Sequence, residues 1–334
     1  MATKKIVFTI FFFFLIGAGS QCSAKLIDIV YTWVDHEDPV WQKAYAETRE
    51  RYGLPATPES KVKSRFRNRD ELKYSLRSIF AFAPWVHHIY IVTFGHRPSW
   101  LKPHSMITVV PHKDIFLNMN DLPTFNSQAI ESNLHRIAKL EEYFIYFNDD
   151  VFLGKKVHAS DFFSRRGHIR VIYDNGFTPR PPILPRDIGF VASWKNTNRL
   201  LDTHFGVQNR KFLAHAPFAL RKSQMQRLEQ KFPLVFQTVA SHKFRSPEDY
   251  VMTCGLVQNF ALQFGEVKEA EIDNRTIAFG SDLEVNRKKL KMLYDTQPAT
   301  FCIEDIDNGD RDESGFQLRQ FLQTYFPEKA PWEK

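Results

Sequence analysis

Cysteine is scarce: three in 334 residues, too few for the disulfide framework on which small secreted modules depend. No apolar stretch beyond the N-terminal one is long enough to cross a bilayer. Internal repeats and low-complexity tracts are missing as well, which sets aside solenoids and linker-like chains. Lysine and arginine gather in no tail or arm, so the net charge of +7 is dispersed. That dispersion argues against nucleic acid as a partner. A basic balance with a pI near 9.2 suits a small anionic ligand instead: a nucleotide, a phosphate or an acidic glycan.

What is present is ordinary for a soluble globular chain, with 43% hydrophobic and 25% charged residues and a high aromatic share of 14%. Part of that share lies in Ile6-Val-Phe-Thr-Ile-Phe-Phe-Phe-Phe-Leu-Ile16, preceded by Lys4-Lys5 and followed by small residues up to Ala24. Positive flank, short apolar run and a Cys22-Ser-Ala24 exit read as a secretory signal peptide over 1–24. The expected destination is the Golgi lumen, the periplasm or the exterior; an uncleaved anchor facing the cytosol is the alternative. The mature chain, 25–334, keeps Cys254 and Cys302, either as one disulfide or as two buried thiols.

The pattern alternates strands and helices. Leu26–Val34 is rich in β-branched and aromatic residues and ends in Asp35-His-Glu-Asp-Pro39. Helical spacing follows over Trp41–Tyr52 and again over Asp70–Phe82, where Leu72, Leu76, Ile79 and Phe80 share a face. His88–Thr93 and Met106–Val110 read as further strands, and Ser127–Leu140 as a helix leading into Tyr143-Phe-Ile-Tyr-Phe-Asn148. Such alternation predicts a mostly parallel sheet flanked by helices, with ligands at the carboxyl ends of its strands. Asp35, Gly95 and Asp149-Asp150 fall at that edge. The second half is less regular. Pro179–Pro185 crosses to it, Ser246-Pro-Glu-Asp249 reads as the start of a helix through Phe264, and Ala299–Ile303 is a late strand.

The chemistry concentrates at Asn148-Asp149-Asp150. Adjacent carboxylates after a buried strand repel unless a cation lies between them, and a hard divalent ion is the simplest such cation. A solvated Asx turn is the plain alternative.

Four stretches resemble the Stealth family in order. The first is Asp28-Ile-Val-Tyr-Thr-Trp-Val-Asp35 with Asp38-Pro39. The second runs from Ser64-Arg-Phe-Arg67 through Asp70-Glu-Leu-Lys-Tyr-Ser-Leu-Arg-Ser-Ile79 to Phe144-Ile-Tyr-Phe-Asn-Asp-Asp-Val151. The third is His215-Ala-Pro-Phe218 with Phe244-Arg-Ser-Pro-Glu-Asp249, and the fourth Phe301-Cys-Ile-Glu-Asp305 with Asp307-Asn308. Phe94 and His96 depart from the polar turn the family usually shows, and His36-Glu37 from its common Gly-Ser.

The resemblance implies a GT-A-like nucleotide-sugar fold forming one catalytic domain, with a nucleotide- and metal-binding half over 25–178 and a completing half over 186–334. It also implies an activity: metal-dependent transfer of a sugar-1-phosphate, commonly N-acetylglucosamine-1-phosphate, from a UDP-sugar to a hydroxyl of a glycan or glycoprotein, releasing UMP. By motif position Asp149 and Asp150 would hold Mg²⁺ or Mn²⁺, with Asp307 or Asn308 completing the shell. Arg245 would grip phosphate, its alternative being an ion pair with Glu248 or Asp249. His215 is the general base or a phosphate ligand, and Asp249 a second base or a helix cap. Asp35 would sit by the uridine, while Arg67, Asp70 and Glu71 either contact substrate or cap a helix. An ordinary glycosyltransferase that releases UDP, or a binding protein without turnover, are the competing functions.

Overall fold

A computed structural model describes residues 25–53, 66–306 and 313–334. The N-terminal segment over 1–24, Ser64, Asp307 and Asn308 lie outside the described residues. Four strands carry the parallel core: β1 (Ile27–Thr32), β2 (His88–Thr93), β3 (Ile107–Pro111) and β4 (Tyr143–Asn148). The chain then adds β5 (Val151–Leu153), β6 (Ile169–Val171), β7 (Tyr173–Phe177), β8 (Lys211–Leu213), β9 (Phe218–Arg221), β10 (Val267–Glu269), β11 (Asn274–Phe279) and β12 (Thr300–Asp305).

The main sheet runs β3-β2-β1-β4-β9, parallel except for β9. Strand order reverses at β1, whose neighbours β2 and β4 both run parallel to it, so the crevice at the carboxyl ends of β1 and β4 is a topological switch point. Buried strands explain the near-continuous apolar runs: β1 and β4 are covered on both faces, with Val30, Phe144 and Tyr146 in one cluster and Ile29, Ile145 and Phe147 in the other. A second sheet, β11-β12-β5, stands against the first, with β5 antiparallel to β12.

Helix α1 (Pro39–Tyr52) starts where Asp38 accepts from the backbone N–H of Trp41 (2.8 Å), with proline in the first turn. Helix α2 (Glu71–Phe82) buries Leu72, Leu76 and Ile79 of the predicted face but leaves Phe80 exposed, and two of its serines bind the second sheet: Ser75 Oγ donates to Val151 O (2.5 Å) and Leu153 N donates to Ser78 Oγ (3.0 Å).

The predicted helix Ser127–Leu140 is broken. Only α3 (Ser127–Glu131) is α-helical, followed by a short 3₁₀ turn at Leu134–Arg136. Ser132 Oγ and Asn133 Nδ2 both donate back to Ala129 O (2.8 Å each), the competition with the helical ladder that short polar side chains offer. The segment Ser246–Asp249 is likewise a turn rather than a helix start, and the chain beyond it is a π-helical stretch, Met252–Val257. Cys254 and Cys302 are free thiols, which resolves the open alternative in favour of no disulfide. No helix of the described residues is long and apolar enough to cross a membrane.

The C-terminal segment is tied in by one buried ion pair. Arg77 Nε and Nη2 reach the two carboxylate oxygens of Glu333 at 2.8 Å each, and Arg77 Nη1 donates to Phe326 O (2.7 Å). Breaking such a pair from one side leaves a buried charge uncompensated, at a cost of about 3–5 kcal/mol. Glu333→Ala is therefore expected to lower unfolding free energy by about that much in a urea titration, while the double change Arg77→Met/Glu333→Leu costs less than Glu333→Ala alone.

Candidate active site at the carboxyl edge

Three strands that are distant in sequence meet where β4 ends. Only Asp149 and Asp150 separate β4 in the main sheet from β5 in the second. On one side β9 pairs antiparallel with β4, Tyr146 opposite Phe218, and His215, in the bend just before β9, meets Asn148 through its side chain (2.7 Å). On the other side β12 pairs antiparallel with β5, Cys302 opposite Val151, and Ile303 N donates to Asp150 O (3.0 Å). Asp150 and Cys302 are thus delivered by backbone pairing, and His215 by the bend that leads into β9. One ligand atom from each, a carboxylate oxygen, a ring nitrogen and Sγ, lies within 4.8 Å of the others.

The charge balance is strained. Asp149 has its carboxyl pushed well above the usual range, first by burial and then by the negative charges of Asp150 and Glu71. Glu71, buried in the first turn of α2, is raised to about 7, mainly by burial, although its Oε2 accepts from Arg69 N (2.5 Å). Asp150 Oδ1 is shielded from solvent and has no hydrogen-bond partner. A buried carboxylate oxygen with no partner, beside a second carboxylate, is what a hard divalent cation would satisfy, so the residues present fit one.

His215 is held by side chains on both ring nitrogens. Thr32 Oγ1 and Tyr146 OH are 2.8 Å apart, Tyr146 OH donates to Asn148 Oδ1 (2.8 Å), and Asn148 Nδ2 donates to His215 Nε2 (2.7 Å). With Nε2 accepting, the proton of the neutral ring sits on Nδ1, 3.5 Å from Cys302 Sγ. The Cys302 thiol is pushed up by burial and by the charge of Asp150.

Arg245 follows Phe244, which packs against Tyr45 and Phe125. Its Nη2 donates to Ser127 Oγ (2.9 Å) at the start of α3. Neither carboxylate weighed as its ion-pair partner takes that role: Asp249 is committed elsewhere, and Glu248 lies towards His242 (3.9 Å). Burial pushes the Glu131 carboxyl up, while hydrogen bonds from Thr253 Oγ1 (2.6 Å) and N (3.3 Å) and then the positive charge of Arg245 pull it back.

Three regions of the Stealth protein family match this chain: conserved region 1 over residues 27–53, conserved region 2 over 65–171 and conserved region 3 over 214–255. The chain belongs to the Stealth family. An exopolysaccharide phosphotransferase of Streptomyces coelicolor is 39% identical over 311 residues, covering 92% of this chain and 52% of that protein. The exopolysaccharide phosphotransferase CpsY of Mycobacterium leprae is 36% identical over 316 residues, covering 92% of this chain and 57% of that protein. The Stealth chain thus spans about half the length of these curated relatives. Among solved structures, that of the galactosyltransferase LgtC with donor and acceptor sugar analogues aligns with a TM-score of 0.41 at 11% identity, covering 91% of this chain and 96% of LgtC. The α/β class rests on the strand order above, not on that likeness.

Of the residues singled out in this Stealth sequence, Asp149, Asp150 and His215 come together. Asp35 lies beyond β1 in an Asx turn, Oδ1 accepting from Glu37 N (3.1 Å), its own N–H donating to His96 Nε2 (2.9 Å). Arg67 and the buried Arg69 face Asp305 at the end of β12 (3.5 and 3.2 Å). Asp70 takes a left-handed conformation (φ 70°) at the start of α2 without a side-chain cap, while Glu71 makes the bond to the preceding backbone. Asp249 is buried, and both oxygens are occupied: Oδ1 by His242 Nδ1 (2.7 Å), Oδ2 by Asn126 Nδ2 (2.9 Å) and Ser246 N (2.8 Å). It braces the loop that carries Arg245. Sequence reasoning missed Asn148 as the support of His215, and it considered Cys302 only for a disulfide; both stood inside motifs already in view.

Because the folded Glu71 has a pKa above the 4.5 of the solvated group, the native state binds the extra proton. Stability then falls as pH rises from about 4.5 to about 7. Glu71→Gln should flatten that part of the profile, worth up to about 1.4 kcal/mol per pH unit, in urea unfolding without divalent cations. An unchanged slope would exclude Glu71 as its source.

Proposed function

We propose that this chain transfers a sugar-1-phosphate from a UDP-sugar, such as UDP-N-acetylglucosamine, to a hydroxyl of a glycan in polysaccharide synthesis. A phosphodiester forms and UMP leaves. The observation that carries the reading is the convergence of an uncompensated carboxylate pair, Asp149 and Asp150, with an oriented imidazole, His215, at the switch point of the sheet. The names of the relatives support the same reaction class.

Displacement at a diphosphate phosphorus needs charge neutralisation, an in-line oxygen and an acceptor for its proton. Mg²⁺ or Mn²⁺ held by Asp149 and Asp150 would supply the first by drawing charge from the phosphate oxygens. Arg245, whose partner at Ser127 is neutral, has a planar fork suited to the same oxygens. His215 takes the proton of the acceptor hydroxyl at Nε2 once Asn148 yields its place. The oxygen bonds to the phosphorus that carries the sugar, and the bridge to UMP breaks. The imidazolium so formed keeps its Nδ1 proton on the side of Asp150, which stabilises it. Asp35, just past β1, would meet the nucleoside.

Incubation with a panel of UDP-sugars, a divalent cation and a glycan acceptor tests this directly. UMP and a phosphorus-containing product are expected; UDP with no phosphorus in the product would establish a conventional glycosyltransferase instead. Asp150→Asn should lower kcat by about 10²–10³-fold, the scale of a lost electrostatic element in a transition state. Arg245→Lys keeps the charge but loses the fork, and should cost about tenfold or more in kcat/KM.

A further inference from the structure

We propose that Asp150, His215 and Cys302 form a binding site for a borderline-soft divalent cation of the zinc class, distinct from the hard-cation mode assigned to Asp149 and Asp150. The site shares Asp150 with that mode but does not rest on the phosphotransferase reading. Mixed carboxylate, imidazole and thiolate donors favour zinc-class ions, whereas Mg²⁺ selects oxygen. Zn–S of about 2.3 Å and Zn–N of about 2.0–2.1 Å at a tetrahedral angle put sulfur and nitrogen about 3.5 Å apart. His215 Nδ1 and Cys302 Sγ are 3.5 Å apart. The third donor is at hand: a carboxylate oxygen of Asp150 lies within the 4.8 Å cluster, and Asp150 Oδ1 is buried with no hydrogen-bond partner.

The mounting is rigid, as a metal site requires. Asp150 O accepts from Ile303 N (3.0 Å), Cys302 sits in the β12–β5 ladder, and Thr276 Oγ1 donates to His215 O (3.5 Å). The surroundings of His215 also allow the proton shift that coordination demands. A cation on Nδ1 displaces that proton, and the neutral ring then carries its hydrogen on Nε2. Nε2–H needs an acceptor, which Asn148 provides by turning its amide so that Oδ1 faces the ring. Asn148 Nδ2 then donates to Tyr146 OH, and Tyr146 donates to Thr32 Oγ1. Each member of the Thr32–Tyr146–Asn148–His215 chain can both give and accept a hydrogen, so its direction reverses without loss of a bond. Cys302 binds as thiolate, so loading releases about one proton per cation. Three protein donors leave the fourth tetrahedral position open. A loaded site has no free nitrogen on His215, so zinc is expected to oppose any reaction in which that ring takes a proton.

The test uses the full chain stripped of metals with a chelator and titrated with Co²⁺ in the absence of nucleotide. Expected are a near-ultraviolet sulfur-to-cobalt charge-transfer band at one equivalent, its bleaching by Zn²⁺ but not by excess Mg²⁺, and calorimetric release of about one proton per Zn²⁺. Cys302→Ser should abolish the band, His215→Gln should weaken Co²⁺ binding at least tenfold with the fold retained by circular dichroism, and Cys254→Ser should leave the band intact. A folded wild-type protein without the band, or a band that survives Cys302→Ser, overturns the proposal. The donor assay reads UMP independently, so either reading can fail while the other stands.

Discussion

The structure turns on the two-residue junction between β4 and β5. A strand buried on both faces of the main sheet ends at Asn148, and the next strand of the second sheet begins at Val151. The backbone of Asp149 and Asp150 is fixed, because Ile303 N holds Asp150 O and the flanking residues are locked into two ladders. Two carboxylates are therefore fixed next to each other by backbone pairing, and Glu71 adds a third negative charge from α2. Burial is the main reason the carboxyls of Asp149 and Glu71 are raised, and at Asp149 the charges of Asp150 and Glu71 add to it. Such a cluster is what a hard divalent cation would satisfy.

The basic groups around the junction are divided between two tasks. Arg69 is buried and, with Arg67, engages Asp305 at the end of β12, so these cations neutralise the second sheet's own carboxylate. Arg245 is mounted differently, on a loop where Asp249 accepts from His242, Asn126 and Ser246 N. Asp249 thus spends its charge on holding the loop and is not the ion-pair partner of Arg245, whose planar fork is suited to an incoming anion.

Much of this was legible in the sequence. The apolar runs of β1 and β4, the spacing of α2 and the Asn148-Asp149-Asp150 terminus are local signals, and local periodicity reports burial directly. The break in Ser127–Leu140 was not, because Ser132 and Asn133 end the helix with side-chain bonds to Ala129 O that periodicity does not count. Nor was the role of Cys302. Its meaning comes from antiparallel register between β5 and β12, segments about half the chain apart, and register between distant strands leaves no local trace. The same holds for Asp249, which reads as a helix start until its three donors are seen.

The departures at Phe94 and His96 gain a physical sense from the structure. Phe94 lies against Phe125 (centroids 6.1 Å apart), which in turn meets Trp41, Tyr45 and Phe244. His96, its protonation disfavoured by burial, accepts from Asp35 N. Here one ring joins the aromatic cluster and the other fixes Asp35. The same cluster seats Phe244, and Phe125 N donates to Lys243 O (2.7 Å), so the loop bearing Arg245 is set by it too. Aromatic packing thus does for Asp35 and Arg245 what strand pairing does for Asp150 and Cys302.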